Sequence, residues 1–220
     1  MIIVNLKTYE EAHGEKSVRI ARACELVAKK HNIRIVVCPQ TVDIRLVKSK
    51  TNAEVFAQHI DTVPFGKYTG WINPETMKEA GITGTLINHS EHKLSLDEIR
   101  KRVERCRELG LVSVVCADSI EEGERIKLLQ PDYIAIEPPE LIGSDISVST
   151  AKPELIRDAV IKLQTPKTKV LVGAGVRTEQ DVRVAISLGA SGILSASEIS
   201  KSPDPERSLE IFVKGFKHKL

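Results

Sequence analysis

The sequence has no apolar run near the about 20 residues that a membrane-crossing helix needs. Its start, Met1 to Lys7, has too short an apolar stretch and no basic lead for an export signal, so a cytoplasmic protein is expected. Asn88-His89-Ser90 matches a glycosylation sequon, which a cytoplasmic chain never shows to that machinery. Cysteine is sparse: Cys24, Cys38, Cys106 and Cys116 are widely spaced with no C-x-x-C pair, which argues against a disulfide framework or a zinc site and fits reduced thiols. A dominant charge is also missing. Lys and Arg total 32 against 30 Asp and Glu, interleaved as on solvated helix faces, so no nucleic-acid face is expected. Linkers and low-complexity segments are absent as well. With 41 % apolar residues, enough for a sizeable core, residues 1–220 read as one domain.

What is present is one pattern, repeated eight times. Short apolar, β-branched runs recur at 2–6 (IIVNL), 34–38 (RIVVC), 53–57 (AEVFA), 84–88 (GTLIN), 112–116 (VSVVC), 133–137 (YIAIE), 169–173 (KVLVG) and 192–196 (GILSA). Each reads as a strand buried on both faces. Amphipathic segments lie between them. In EKSVRIARACELVAKKH, Val18, Ala21, Cys24, Leu26 and Val27 trace an apolar stripe. Ser95 and Glu98 stand in capping-box register before a helix that stops at Gly110. Thr178 is the expected N-cap of a helix stopping at Gly189, and Pro205 lies near the first turn of the last helix. The segments after strands two and three carry weaker helical patterns.

Alternating buried strands and helices imply parallel pairing with right-handed crossovers. Eight such units predict an α/β fold, a closed (β/α)8 barrel, compact at 220 residues. A doubly wound open sheet would carry a Gly-rich nucleotide turn after an early strand, and the first turn here, NLKTYE, has no glycine.

In such a barrel the working groups sit at the C-terminal strand ends. Strand one ends in Asn5-Leu6-Lys7, and alternation puts Asn5 and Lys7 on one face. Strand four leads to His89 and strand six to Glu137. Strand seven leads to Gly173-Ala174-Gly175 and strand eight to Ser195-Ala196-Ser197. Each alone has an ordinary reading: a solvated lysine, a strand-terminal glutamate, a common Gly-x-Gly turn, a hydrogen-bonding histidine. Together at one rim, a lysine, a histidine and a carboxylate can move protons, and small residues can offer N–H groups to an anion. They point to a small phosphorylated substrate that is deprotonated and reprotonated.

The segments VNLKTY, NHSE, IEPPELIGS, VGAGV and ILSASEI follow one another in this order over nearly the whole chain. In this combination the sequence resembles the triosephosphate isomerase family, in its shorter archaeal form. The resemblance implies interconversion of dihydroxyacetone phosphate and glyceraldehyde 3-phosphate through an enediolate, with no metal or organic cofactor. It makes Lys7 a fixed positive charge facing the substrate, with Asn5 beside it and Glu91 near the lysine. It makes His89 a neutral hydrogen-bond donor to the substrate oxygens, with a short helix beginning at Ser90-Glu91-His92 to disfavour the imidazolium. Glu137 would be the base acting at C1 and C2. Ile142, Gly143, Gly173, Ala174, Gly175, Ser195, Ala196 and Ser197 would surround the phosphate, and residues 138–143 would form a lid. The chain departs from the common form in four places. The lid reads Pro138-Pro139-Glu140-Leu141. Strand seven ends Gly-Ala-Gly where Gly-Gly-Ser is common. Ala196-Ser197 replaces two glycines, and Glu198 adds a carboxylate beside the expected phosphate.

PFGKYTGWINPE (64–75) matches the family's intersubunit loop and holds Phe65, Tyr68 and Trp71, so the resemblance implies a homo-oligomer, at least a dimer and by preference a tetramer. Local packing of these aromatics is the plainer alternative. Three rival readings are a different phosphate-binding barrel enzyme, a non-catalytic barrel binding protein, and a metal site on His89, Glu91 and His92. Asp118, after strand five, reads better as the start of the next helix than as a catalytic aspartate.

Overall fold

The computed structural model describes residues 1–138 and 153–216. Eight parallel strands close into a barrel in sequence order: β1 (Ile2–Asn5), β2 (Ile35–Cys38), β3 (Glu54–Ala57), β4 (Gly84–Ile87), β5 (Val112–Ala117), β6 (Tyr133–Ile136), β7 (Lys169–Val172) and β8 (Gly192–Ser195). Closure comes from β1 pairing with β8 in the register Ile2↔Ile193, Ile3↔Leu194 and Val4↔Ser195. The described helices are α1 (Glu15–His31), α2 (Ile44–Lys50), α3 (Pro74–Glu79), α4 (Leu96–Leu109), α5 (Ile120–Lys127), α6 (Pro153–Leu163), α7 (Glu179–Ser187), α8 (Ser197–Ser200) and α9 (Pro205–Phe216). None of them is long and apolar enough to cross a membrane.

The doubly apolar strands divide their side chains between two cores. Ile3, Val36, Cys38, Phe56, Leu86, Val114, Cys116, Ala135, Leu171 and Leu194 pack inside the barrel. Their neighbours, such as Val4, Val37, Val55, Ile87, Val115, Val170 and Ile193, pack outward against the helices. Phe56 fills the barrel because Gly84 makes room: a Cβ there would lie 2.7 Å from its ring. Burying a phenyl ring fully contributes about 1.5–3 kcal/mol. The inward alternation has a consequence for function. Two residues beyond Ile3, Phe56, Leu86, Ala135, Leu171 and Leu194 come Asn5, Gln58, Asn88, Glu137, Gly173 and Ala196. The floor is apolar and the next layer carries polar groups, all at the C-terminal rim.

The caps match the helix boundaries. Ser95 and Glu98 form a capping box on α4, which ends at left-handed Gly110. Thr178 and Asp181 do the same on α7, followed by Gly189 at φ 98°. Pro205 is the first residue of α9. Two expectations are corrected. Leu26 lies off the α1 stripe and is 56 % exposed. Two residues past Cys24 is about 200° around the helix, away from the barrel. The cap of α5 is Ser119, whose side chain accepts the Glu122 N–H, while Asp118 pairs with Lys93 at 3.1 Å.

Candidate active site

Asn5, Lys7, His89, Glu137, Ala174, Gly175, Ser195, Ala196 and Ser197 line one open cavity at the C-terminal rim. Tyr9, Val176, Arg177, Leu194 and Glu198 complete its wall. Of the other expected residues, Glu91 stands outside the cavity against Lys7, and Gly173 packs behind Glu137. Ile142, Gly143 and lid residues 139–143 lie outside the described residues.

Lys7 does not reach the cavity by strand alternation. Strand β1 ends at Asn5, and Lys7 adopts a left-handed backbone with φ 46°. Such a conformation costs a non-glycine residue about 1–2 kcal/mol. It is offset by two clamps. The Lys7 N–H donates to Asn5 Oδ1 at 3.0 Å, an Asx turn. Gln58 Nε2 donates to the Lys7 carbonyl at 2.9 Å and to the Cys38 carbonyl at 3.0 Å. The Lys7 ammonium is held 2.6 Å from Glu91 Oε1, which ties the first loop to the fourth. Asn88 and Ala174 are also left-handed, at φ 61° and 65°. Backbone strain therefore gathers on the rim, as it does at functional sites.

His89 is 8 % exposed and sits in a turn closed by the His92 N–H to its carbonyl at 2.8 Å. The expected short helix at residues 90–92 is absent; a single turn stands there. The ring is fixed by the Glu91 N–H, which donates to His89 Nδ1 at 3.2 Å. A neutral imidazole accepting at Nδ1 carries its proton on Nε2. That atom lies 3.8 Å from Glu137 Oε2. Asn88, 1 % exposed, holds the turn from below: its amide donates to the Cys116 carbonyl at 2.9 Å and to Glu122 at 3.0 Å, and its Oδ1 accepts the Leu94 N–H at 2.9 Å. His92 does not converge with His89; it stacks on His59 with ring centroids 4.2 Å apart. Among the described residues no three His, Cys, Asp or Glu side chains could hold a metal ion.

Glu137 follows β6 and is 5 % exposed. Its Oε2 is buried with no hydrogen-bond partner among the described residues. The carboxylate is packed tightly. A Cβ on Gly173 would come 2.5 Å from Glu137 Cγ, so glycine is required there for contact with the glutamate. From below, burial pushes the Cys116 thiol well above its ordinary range, and its contact with Glu137 pushes it the same way. Cys116 therefore stays a protonated thiol beside this carboxylate. Gln58 and Cys116 carry no motif, Asn88 stands in NHSE only as the residue before His89, and none of the three was among the expected site residues. Their signal was the inward alternation, which runs from Phe56 to Gln58 and from Leu86 to Asn88.

A lysine, a histidine whose Nδ1 accepts a backbone N–H and a buried carboxylate around one cavity are groups able to move protons. The triosephosphate isomerase family model matches residues 1–212. The chain belongs to the triosephosphate isomerase family. It is 42 % identical over 212 residues to the triosephosphate isomerase of Methanothermus fervidus, covering 96 % of each chain. Identity to the Methanocaldococcus jannaschii isomerase is 42 % over 216 residues, covering 97 % of this chain and 99 % of that one. The Thermoplasma volcanium isomerase is 44 % identical over 213 residues, with 97 % and 99 % covered. Triosephosphate isomerases are intramolecular aldose–ketose isomerases, and the observed barrel and rim chemistry agree with that class.

Proposed function

We propose that this chain interconverts dihydroxyacetone phosphate and D-glyceraldehyde 3-phosphate by proton transfer through an enediolate, as a single barrel domain over residues 1–220. The observation that carries the reading is the meeting of Lys7, His89 and Glu137 in one cavity of a chain from this family. Glu137 takes the proton from C1 and returns it at C2. A positioned base contributes about 10²–10⁴-fold. As the C–H bond breaks, charge grows on the two substrate oxygens. His89 meets it with Nε2–H, Lys7 with its ammonium, and Asn5 with its amide. Preorganised donors of this kind contribute about 3–4 kcal/mol each in other enzymes. Glu91 fixes the lysine, and the hydroxyl proton moves between the two oxygens across His89.

The non-reacting phosphate is taken by the rim segments Ala174 to Gly175 and Ser195 to Ser197, with Ile142 and Gly143, mostly through backbone N–H groups; Gly173, whose N–H donates to the Ile136 carbonyl at 2.9 Å, supports Glu137 instead. Its binding energy is spent at the reacting centre. The test is a coupled dehydrogenase assay. Turnover at millimolar substrate or below is expected, together with binding of a two-carbon phosphorylated acid. Absence of both refutes the reading.

We infer that the enzyme works in the cytoplasm as a homotetramer built through the loop at residues 64–75. Phe65, Tyr68 and Trp71 are 67 %, 42 % and 58 % exposed in this chain, which supports a covering partner. The loop has a stiff base. The Asp61 N–H donates to the Ile72 carbonyl at 2.9 Å, the Ile72 N–H returns to Asp61 Oδ2 at 2.8 Å, and buried Arg102 holds Asp61 at 3.1 Å. Mass measurement in solution decides it: a particle of one 24.3 kDa chain at micromolar concentration contradicts the assembly.

A further inference from the structure

Two residues of the cavity wall, Arg177 and Glu198, have no part in the chemistry above. Arg177 lies in the turn between β7 and α7, and Glu198 is the second residue of α8. Arg177 Nε lies 2.9 Å from Glu198 Oε1, with the two side chains 33 % and 32 % exposed. The pair therefore bridges the two rim segments, after β7 and after β8, that the proposed mechanism assigns to the phosphate. The arginine's backbone is anchored. Its N–H donates to Asp181 Oδ2 at 3.1 Å, and the same oxygen takes the Thr178 N–H at 2.9 Å and hydroxyl at 2.8 Å. Asp181 is 4 % exposed. An ion pair this accessible adds little to stability. Its weight falls on the cavity, where a bare Glu198 carboxylate would face an incoming dianion.

We propose that Arg177 and Glu198 form the electrostatic wall of the phosphate subsite and act as a unit. Glu198 fixes the guanidinium at the cavity edge, and Arg177 cancels the carboxylate that would otherwise repel the substrate. This rests on the phosphate-binding reading above. It makes the pair a determinant of selectivity for a phosphorylated substrate, outside the proton-transfer residues.

Arg177→Met keeps the stem and removes the charge. The KM for glyceraldehyde 3-phosphate rises about tenfold, the effect of one uncompensated like charge near the site, while kcat stays within about threefold. The rise shrinks as salt goes from about 20 mM to about 500 mM, because screening weakens the repulsion. For unphosphorylated D-glyceraldehyde, kcat/KM falls far less than for the phosphorylated substrate. Adding Glu198→Gln to Arg177→Met returns KM to within about threefold of the parent, a non-additivity that paired residues produce. Equal losses on both substrates, or a double variant no better than Arg177→Met, overturn the proposal and leave the pair a structural staple. Calorimetric titration with inorganic phosphate reads the same ratios without turnover. A parent enzyme that binds phosphate through the pair but does not isomerise would refute the proposed reaction and leave this inference standing.

Discussion

Replacing Gly173 by alanine adds one methyl group at the point where the barrel touches the proposed base. The new Cβ would lie 2.5 Å from Glu137 Cγ, 2.6 Å from Oε1 and 2.8 Å from Cδ. Non-bonded carbons rest about 3.5–4.0 Å apart, so the carboxylate must move by roughly 1 Å. Gly173 has no left-handed backbone, so alanine is not refused on conformational grounds and the loss belongs to the contact. Glu137 is 5 % exposed and meets Cys116 as well, which limits its retreat to the cavity itself. Misplacing a reacting group by about 1 Å costs roughly 10²-fold in rate. Overpacking costs about 1–3 kcal/mol. Coupled-assay kcat reads the first and thermal melting the second. The stability loss should nearly vanish in a Glu137→Ala background, where the added methyl meets no longer side chain. A Gly173→Ala enzyme that keeps more than half its kcat refutes the reasoning, as does equal destabilisation in both backgrounds.

Gln58→Leu keeps the size of the side chain but removes the donor to the Lys7 and Cys38 carbonyls. The Cys38 carbonyl keeps the Leu6 N–H at 3.0 Å, whereas the Lys7 carbonyl loses its donor at a cost of about 1–3 kcal/mol, and the strained Lys7 loses a clamp. The expected result is kcat/KM down at least about tenfold with the oligomer intact; parent-like kinetics would show that the Asx turn alone suffices. Acid stability gives a second test. Burial pushes the His59 imidazole below its ordinary value, Asp61 opposes this, and stacked His92 and nearby Arg102 add to it. A depressed folded value means the unfolded chain binds the proton first, so this contribution is whole above about pH 6.5 and is lost as pH falls. The melting temperature should drop from about pH 7.5 to about pH 5.5, with a shallower slope in His59→Gln. An unchanged slope would assign the acid sensitivity to other groups.

The barrel was legible in the chain because burial on both strand faces and on one helix stripe leaves a local, periodic trace. Runs as short as Ile2–Asn5 and Tyr133–Ile136 could be read this way, as could the caps at Ser95 and Thr178. The candidate site was legible in part, since chemistry-bearing residues such as His89 and Glu137 follow those runs directly. Leu26 misled because a stripe read by composition ignores two-residue offsets, which turn a helix side chain to the far face. Gln58 and Cys116 left no motif, and the NHSE segment said nothing of what Asn88 holds. Their work is to hold other residues, and a holding residue is recognisable only from what it touches.

By itself, then, the sequence determined eight buried strands, their order, the rim on which reactive residues stand, and the family to which they belong. Only the tertiary structure decided how those residues meet. Lys7 enters the cavity through a left-handed turn clamped by Gln58, 51 residues away. The ring of His89 is oriented by a backbone N–H, while His92 is turned aside to His59. Gly173 backs the glutamate, outside the ring of cavity-lining residues, and Glu198 finds Arg177 across the rim. The physical reason is range. Periodicity is a property of neighbours in the chain, whereas these contacts join loops that become neighbours only when the eighth strand pairs with the first.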